Sequence, residues 1–350
     1  MISHGLIGLV RCPDCLGALV LTAPSAVCQQ CGRQFQSGGG FLDLRPLTAF
    51  EEQTKYLDEA LHADARHESI APPLLGSKIR NDMLRRFLKP GPGDRVLDLG
   101  CGSGRTLTWN RESGAALTGI DIAPYFAPEA VETSDLLLGD LRRLPIKDGT
   151  FSKAWSLDVL EHLSRPALIE MLSQANRVLA PGGALFVYTH VRKNGWPAVG
   201  VRMVNRLARA FERLGLLDLR QERLRKSDHV NPLADHDDLA RVAAESGFRI
   251  ERITYYTPVV GAFVENVLAR MAERFLARRA VRKASTGAPA NVDEHAGIRE
   301  ARTSAQARVR RRGPLYWGLM TLSTFMKIDV VLFGRVRSGP FFALLRKTGA

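Results

Sequence analysis

The chain has 350 residues, 45% hydrophobic and 24% charged, with 31 Gly and 18 Pro, which excludes a disordered or collagen-like polymer and allows two domains, or one with an appendage. No uninterrupted apolar run reaches about 18 residues and MISHGLIGLV lacks a cationic start, so neither a conventional spanning helix nor a secretory leader is expected. Of the net charge of +13, Arg270 to Ala350 carries 17 Lys+Arg against 5 Asp+Glu, a balance of +12, which leaves +1 for the preceding residues. That excess suits a solvated basic face equally with an attachment surface for lipid headgroups or nucleic acid.

Residues 1–46 open with C-P-D-C at Cys12 and Cys15, then C-Q-Q-C at Cys28 and Cys31. Two C-x2-C knuckles offer four thiolates for tetrahedral zinc, and GALVLTAPSAV between them reads as a short hairpin. Four protein ligands leave no open position, so this zinc would hold a small fold together and do no chemistry. In a cytoplasmic chain, the expectation here, metal or burial explains the five cysteines better than disulfides.

Residues 47–89 form a helical lead-in, broken by Pro90-Gly91-Pro92-Gly93. Arg95 to Leu99 is a short apolar strand running into Gly100, Gly102 and Gly104, where backbone approaches a ligand closely at the start of a helix. A glycine pattern of this kind is weak evidence taken singly, since dinucleotide enzymes use a similar one. Further strands follow at Ala116–Asp121, Asp135–Asp140, Phe151–Leu157 and Ala184–Thr189, alternating with helices, as in a parallel sheet. Ligands bind beyond the carboxyl ends of such strands, where Asp98, Asp121, Asp140 and residues 156–162 fall.

VLDLGCGSGR, GID, GDLRRLP, DVLEHL and RVLAPGG, in that order over roughly residues 75–190, resemble the successive motifs of class I S-adenosylmethionine-dependent methyltransferases, closest to the quinone, sterol and small-molecule branch. The resemblance implies that Gly100, Gly102 and Gly104 pass under the methionine and ribose of the cofactor. It further implies that Asp98 orients that loop or the cofactor's amino group and that Asp121 binds the ribose hydroxyls. Asp140 with the Leu141 backbone would read the adenine edge, and Ser156 and Leu157 would line the methionine end. Two departures stand out. Pro124 and Pro128 leave room only for a short or broken helix before Asp140, and Ser152 replaces the Asp that usually follows Phe151.

The implied fold is an α/β, Rossmann-like seven-stranded sheet over residues 90–256 with a small N-terminal zinc ribbon. Its last strand, in residues 338–350, is antiparallel and inserts between the fifth strand and the sixth, Phe248–Tyr256. Residues 257–337 then form one long helical insertion, with a helix over Val259–Arg279, a loop over Arg282–Arg312 and the apolar stretch Pro314–Phe333. A second excursion contains VRMVNRLARAFERLGLLDLRQERLRK, a basic amphipathic helix. Packing on the core accounts for these segments as well as a greasy, cationic cap that meets an anionic membrane surface.

The expected activity moves a methyl group to an oxygen or carbon of a small, hydrophobic or lipid-linked acceptor. The N/D-P-P-Y/F motif of amino-methylating nucleic-acid enzymes is missing after the fourth strand, where SLDVLEHL stands. His162 is the candidate general base, with His190 and His229 as second choices. An RNA methyltransferase whose zinc module contacts RNA, and a non-catalytic scaffold, remain as rival readings.

Overall fold

The computed structural model describes residues 4–22, 25–47, 70–191, 195–219, 223, 229–275, 278, 309–310 and 312–349. Residues 48–69 of the lead-in, most of the loop expected over Arg282–Arg312 and much of 220–228 lie outside the described residues.

The N-terminal unit has helix α1 (His4–Leu9) and strands β1 (Leu19–Thr22), β2 (Ser25–Cys28), β3 (Gln34–Gly38) and β4 (Phe41–Asp43). β1 and β2 form the expected hairpin, Leu19 opposite Cys28 and Thr22 opposite Ser25. The core adds helix α2 (Gly76–Leu88), β5 (Arg95–Leu99), α3 (Arg105–Asn110), β6 (Ala116–Asp121), α4 (Pro128–Thr133), β7 (Asp135–Leu138) and β8 (Phe151–Leu157). It continues through α5 (Arg165–Val178), β9 (Leu179–Thr189), α6 (Pro197–Arg213), α7 (His236–Glu245) and β10 (Phe248–Tyr255), and closes with β11 (Phe341–Lys347).

Strand order is β1-β2-β3-β4-β7-β6-β5-β8-β9-β11-β10 in one 11-stranded sheet. The seven expected strands are all present, and β11 runs antiparallel between β9 and β10. The ribbon shares its sheet with the core, so the sheet has four strands beyond the seven expected. β4 pairs in parallel with β7, Phe41 opposite Leu136 and Asp43 opposite Leu138, so the ribbon extends the core sheet by four strands.

Adjacent strand residues point to opposite faces, and both faces are buried, as parallel sheets require. Leu97, Leu99 and Phe341 face a layer with Leu168 and Leu172 of α5, Leu239 of α7, and Leu6, Phe35 and Leu42 of the ribbon. Val96, Trp155, Phe186 and Phe342 face Met83, Leu84 and Phe87 of α2. Ser164 caps α5 by accepting from the Ala167 N–H, and Asp235 caps α7 by accepting from the Asp238 N–H. Arg165 grips the buried Asp238 carboxylate at 2.6 and 2.9 Å, clamping α5 to α7.

α6 stops at Arg213, short of the amphipathic run in the sequence, because Gly215 turns the chain at a φ of +69°. α4 is six residues long, the short helix that Pro124 and Pro128 foretold. The insertion begins with α8 (Val259–Phe263), passes into a π-helical turn (Val264–Ala269), and resumes with α9 (Pro314–Met326) and α10 (Ile328–Phe333). The Asp329 carboxylate accepts from the Val260 and Gly261 N–H groups at 3.0 and 2.8 Å. The Leu75 N–H donates to Ser323 Oγ at 2.7 Å, and Lys327 pairs with Asp82 at 2.6 Å. The insertion is thus fastened to α2, next to the carboxyl edge of the sheet.

Candidate active site

β5 delivers Asp98 and the glycine turn to the middle of the sheet edge. The Gly100 and Cys101 N–H groups donate to the Ile120 carbonyl, so the turn is sewn to β6. All three glycines have positive φ, +79°, +53° and +78°, but only one faces open space. A Cβ on Gly100 would strike Val159, and one on Gly104 would strike Ala130, each at 2.5 Å. One on Gly102 would meet nothing within 4 Å. Gly100 and Gly104 are therefore demanded by packing, and Gly102 is where a ligand can lie against bare backbone.

Asp98 is 2% exposed and its Oδ2 has no hydrogen-bond partner. Burial, reinforced by the nearby Asp121 carboxylate, pushes the Asp98 carboxyl up to about 7. Asp121 Oδ2 accepts from the Gly102 N–H at 2.7 Å and Oδ1 from the Ala123 N–H at 3.0 Å, leaving further lone pairs. Burial pushes this carboxyl up as well, and those N–H bonds offset only part of the effect. A buried acceptor wanting a donor, a bare glycine backbone and a fixed acid on the next strand suit a cationic, hydroxyl-bearing ligand such as S-adenosylmethionine.

Asp140 and Leu141 lie beside Asp121, where the Gly139 N–H donates to the Asp121 carbonyl at 2.9 Å. The Asp140 carboxylate caps the 3-10 turn Leu141–Arg143 and is gripped by Arg142 at 2.9 Å. Ser156 is buried and donates to the Leu99 carbonyl at 2.9 Å, tying β8 to the glycine turn, with half-buried Leu157 next to it. Ser152 donates to Asp94 at 2.9 Å, at the amino end of the sheet, far along β8 from this crevice.

The residues after β8 pack against the glycine turn through Val159, which lies over Gly100. Asp158 holds a φ of +58°, uncommon for a residue with a side chain, and pairs with Arg80 of α2 at 3.4 Å. Arg80 lies over the Tyr188 ring, 5.5 Å from its centroid. Although dry surroundings oppose it, the Asp158 carboxylate holds Arg80 charged, above its ordinary range. Glu161, 1% exposed, accepts from Thr189 Oγ1 at 2.8 Å and is bonded to His190 Nδ1 at 3.0 Å. Burial would raise this carboxyl, but the hydrogen bond and charge of His190 prevail and lower it. His162 and His229 stand edge to face with ring centroids 4.8 Å apart, and His190 is 5.8 Å from His229. The three histidines named from sequence thus converge here. Arg80 and Tyr188 were not named, while Asp158 and Glu161 fell within the 156–162 stretch placed at this edge without roles of their own.

In the ribbon, the four cysteine sulfurs lie within 4.8 Å of one another. Cys12 Sγ is 3.7 Å from Cys31 Sγ, and Cys15 Sγ is 3.4 Å from Cys28 Sγ. Tetrahedral zinc thiolates require a separation of about 3.8 Å, so the donor set fits that ion.

Residues 97–187 match the family model described as a methyltransferase domain. Sterol 4-C-methyltransferase strm-1 of Caenorhabditis elegans is 33% identical over 109 residues, 29% of this chain and 32% of the relative. Malonyl-[acyl-carrier protein] O-methyltransferase of Serratia marcescens is 32% identical over 117 residues, 32% of this chain and 45% of the relative. Squalene methyltransferase 1 of Botryococcus braunii is 34% identical over 125 residues, 32% of each chain. The chain spans only 32% to 51% of the length of the first curated relatives it matches. A solved phosphoethanolamine N-methyltransferase 2 of Haemonchus contortus superposes with a TM-score of 0.47 at 16% identity, over 85% of this chain and 59% of that one. Residues 97–187 of this chain thus carry a methyltransferase domain, set in a sheet whose last strand is reversed.

Proposed function

We propose that the whole chain is an S-adenosylmethionine-dependent methyltransferase acting on an oxygen or carbon of a small, hydrophobic or lipid-linked acceptor. The observation that carries this reading is the crevice between Asp98, Gly102 and Asp121, with the titratable groups that follow β8 beside it. Asp98 would receive the cofactor's ammonium, Asp121 the ribose hydroxyls, and the Gly139–Leu141 backbone the adenine edge. Because Arg142 already neutralises Asp140, its carboxylate would shape that loop while backbone groups do the reading. The bound cofactor supplies an electrophilic methyl on its sulfonium, so the chain's own task is to align an acceptor and take up any proton it sheds. For the proton, His190 has a stronger claim than His162, since buried Glu161 fixes its Nδ1 and thereby its ring orientation.

The cap supports a hydrophobic acceptor. Pro314–Phe333 is a 20-residue helical stretch, long and apolar enough by length and composition to cross a membrane, and most of it is not buried against the protein. Its two charged residues, Lys327 and Asp329, are held on the protein side by Asp82 and by the Val260 and Gly261 N–H groups. Trp317, Phe325, Val331 and Leu332 face outward, and Phe333 meets Trp196 at the head of α6, with centroids 5.5 Å apart. α6 continues the surface with exposed Met203 and Leu207 beside Arg202, Arg206, Arg209 and Arg213. Such a face suits lying on an anionic bilayer, each Arg or Lys adding about 1 kcal/mol near the headgroups. We also assign the four-cysteine cluster to a structural zinc ion.

Calorimetric titration with S-adenosylmethionine and flotation with anionic vesicles test the two halves of this reading. Binding of the cofactor and flotation at moderate salt are expected. Absence of cofactor binding would refute the enzyme, and retention by RNA in place of vesicles would refute the lipid-side acceptor.

A further inference from the structure

Beside the cofactor crevice, one Glu161 oxygen and one ring nitrogen each of His162 and His229 lie within 4.8 Å of one another. They come from two separate segments. Glu161 and His162 sit in the 3-10 turn Leu160–His162, and His229 enters from the strand-free approach to α7. The Asn231 N–H donates to the Glu161 carbonyl at 2.9 Å, fastening the second segment to the first. We propose that Glu161, His162 and His229 form a binding site for a divalent transition-metal ion such as Zn2+ or Fe2+, distinct from the cysteine cluster.

Two imidazoles and one carboxylate are a donor set for such ions, and leave coordination positions open. Ligand atoms about 2.1 Å from one ion stand roughly 3–3.4 Å apart, so rotamer adjustments of about 1 Å complete the site. The carboxylate is built as a ligand's would be. It is almost fully buried, and both its oxygens are oriented, one by Thr189 at 2.8 Å and the other by His190 at 3.0 Å. Asp158, the other nearby acid, is committed to Arg80.

Resting on the methyltransferase reading, the open positions narrow the acceptor class: it would present a hydroxyl or carboxylate oxygen to the ion, beside the glycine turn. The ion then positions the acceptor oxygen, and Arg80 supplies a second positive charge nearby.

The probe is Co2+, added to full-length protein whose cysteine cluster already holds zinc. About one equivalent should bind, with the weak ligand-field absorption of nitrogen and oxygen donors and no intense thiolate band. The double variant His162→Ala/His229→Ala, both residues half-buried, should lose this spectrum while keeping its zinc and its S-adenosylmethionine affinity. Thr189→Val should weaken Co2+ by about tenfold, through loss of an outer hydrogen bond. Wild-type protein without the spectrum, a thiolate band only, or equal binding by the double variant would each overturn the site. Cofactor titration of the same samples keeps the two readings apart, since failure there removes the methyltransferase while the cobalt spectrum still decides the metal.

Discussion

Replacing Asp98 by Asn should make the ligand-free protein more stable, and more so as pH rises. A carboxyl held at about 7 in the folded chain, against about 3.9 in an unfolded one, keeps its proton on folding through the intervening range. Below about pH 3.9 both states are protonated and the residue costs nothing. Between the two values the unfolded state ionises while the folded state does not, so stability falls as pH rises. Above about 7 the full cost, about 4 kcal/mol at pH 8, is in place. Asn abolishes that titration, so the gain of Asp98→Asn over wild type should grow by about 2.5 kcal/mol from pH 5 to pH 8. Urea unfolding at both pH values measures it, and the difference between the proteins cancels every other titrating group. A difference independent of pH would refute the buried, strained carboxyl. The same logic predicts that binding the cofactor near pH 6 releases a proton, seen as a buffer-dependent heat, and that Asp98→Asn releases none.

Asp121→Ala should abolish measurable cofactor affinity while circular dichroism and zinc content stay unchanged; unaltered affinity would contradict the ribose assignment. Protein purified without chelator should carry about one thiolate-bound zinc, lost in Cys28→Ser, as read by elemental analysis. Asp238, held down to about 2 chiefly by Arg165, contributes stability present above about pH 4 and lost as pH falls toward 2. With Arg165 partly exposed, Asp238→Asn should cost at most about 2 kcal/mol at pH 7, and a neutral outcome would discount the α5–α7 clamp. Val331→Asp with Trp317→Asp should reduce vesicle flotation without changing cofactor affinity, and unchanged flotation would discard the bilayer-facing cap.

The strands of the core were legible because each is a short apolar run ending at a turn residue. Arg95–Leu99 and Phe151–Leu157 come out at their expected bounds, and β9 differs only in starting earlier, at Leu179. The pairing of β4 with β7 was not legible. Phe41–Asp43 is three residues long, follows Gly38, Gly39 and Gly40, and meets its partner more than 90 positions later, a contact no local pattern encodes. Site residues split the same way. Asp98, Gly102 and Asp121 announce themselves by position within a motif. The separate duties of the three glycines depend on Val159 and Ala130, which only folding brings near. Arg80 is one basic residue among several in α2, and nothing local tells which of them turns toward Asp158.

The seam between β4 and β7 bears on how the molecule keeps to itself. An outer strand of any sheet offers unpaired N–H and C=O groups to passing chains, and here the ribbon covers the margin nearest the Gly139–Leu144 segment. Before that segment the Leu44 N–H donates to the Leu138 carbonyl at 2.8 Å, and after it the Arg11 N–H donates to the Pro145 carbonyl at 2.9 Å, so the cover is latched on both sides. If the cysteine cluster holds zinc as proposed, chelation would do more than unravel the ribbon: it would bare a sticky flank beside the proposed cofactor crevice, and loss of metal should be seen first as self-association.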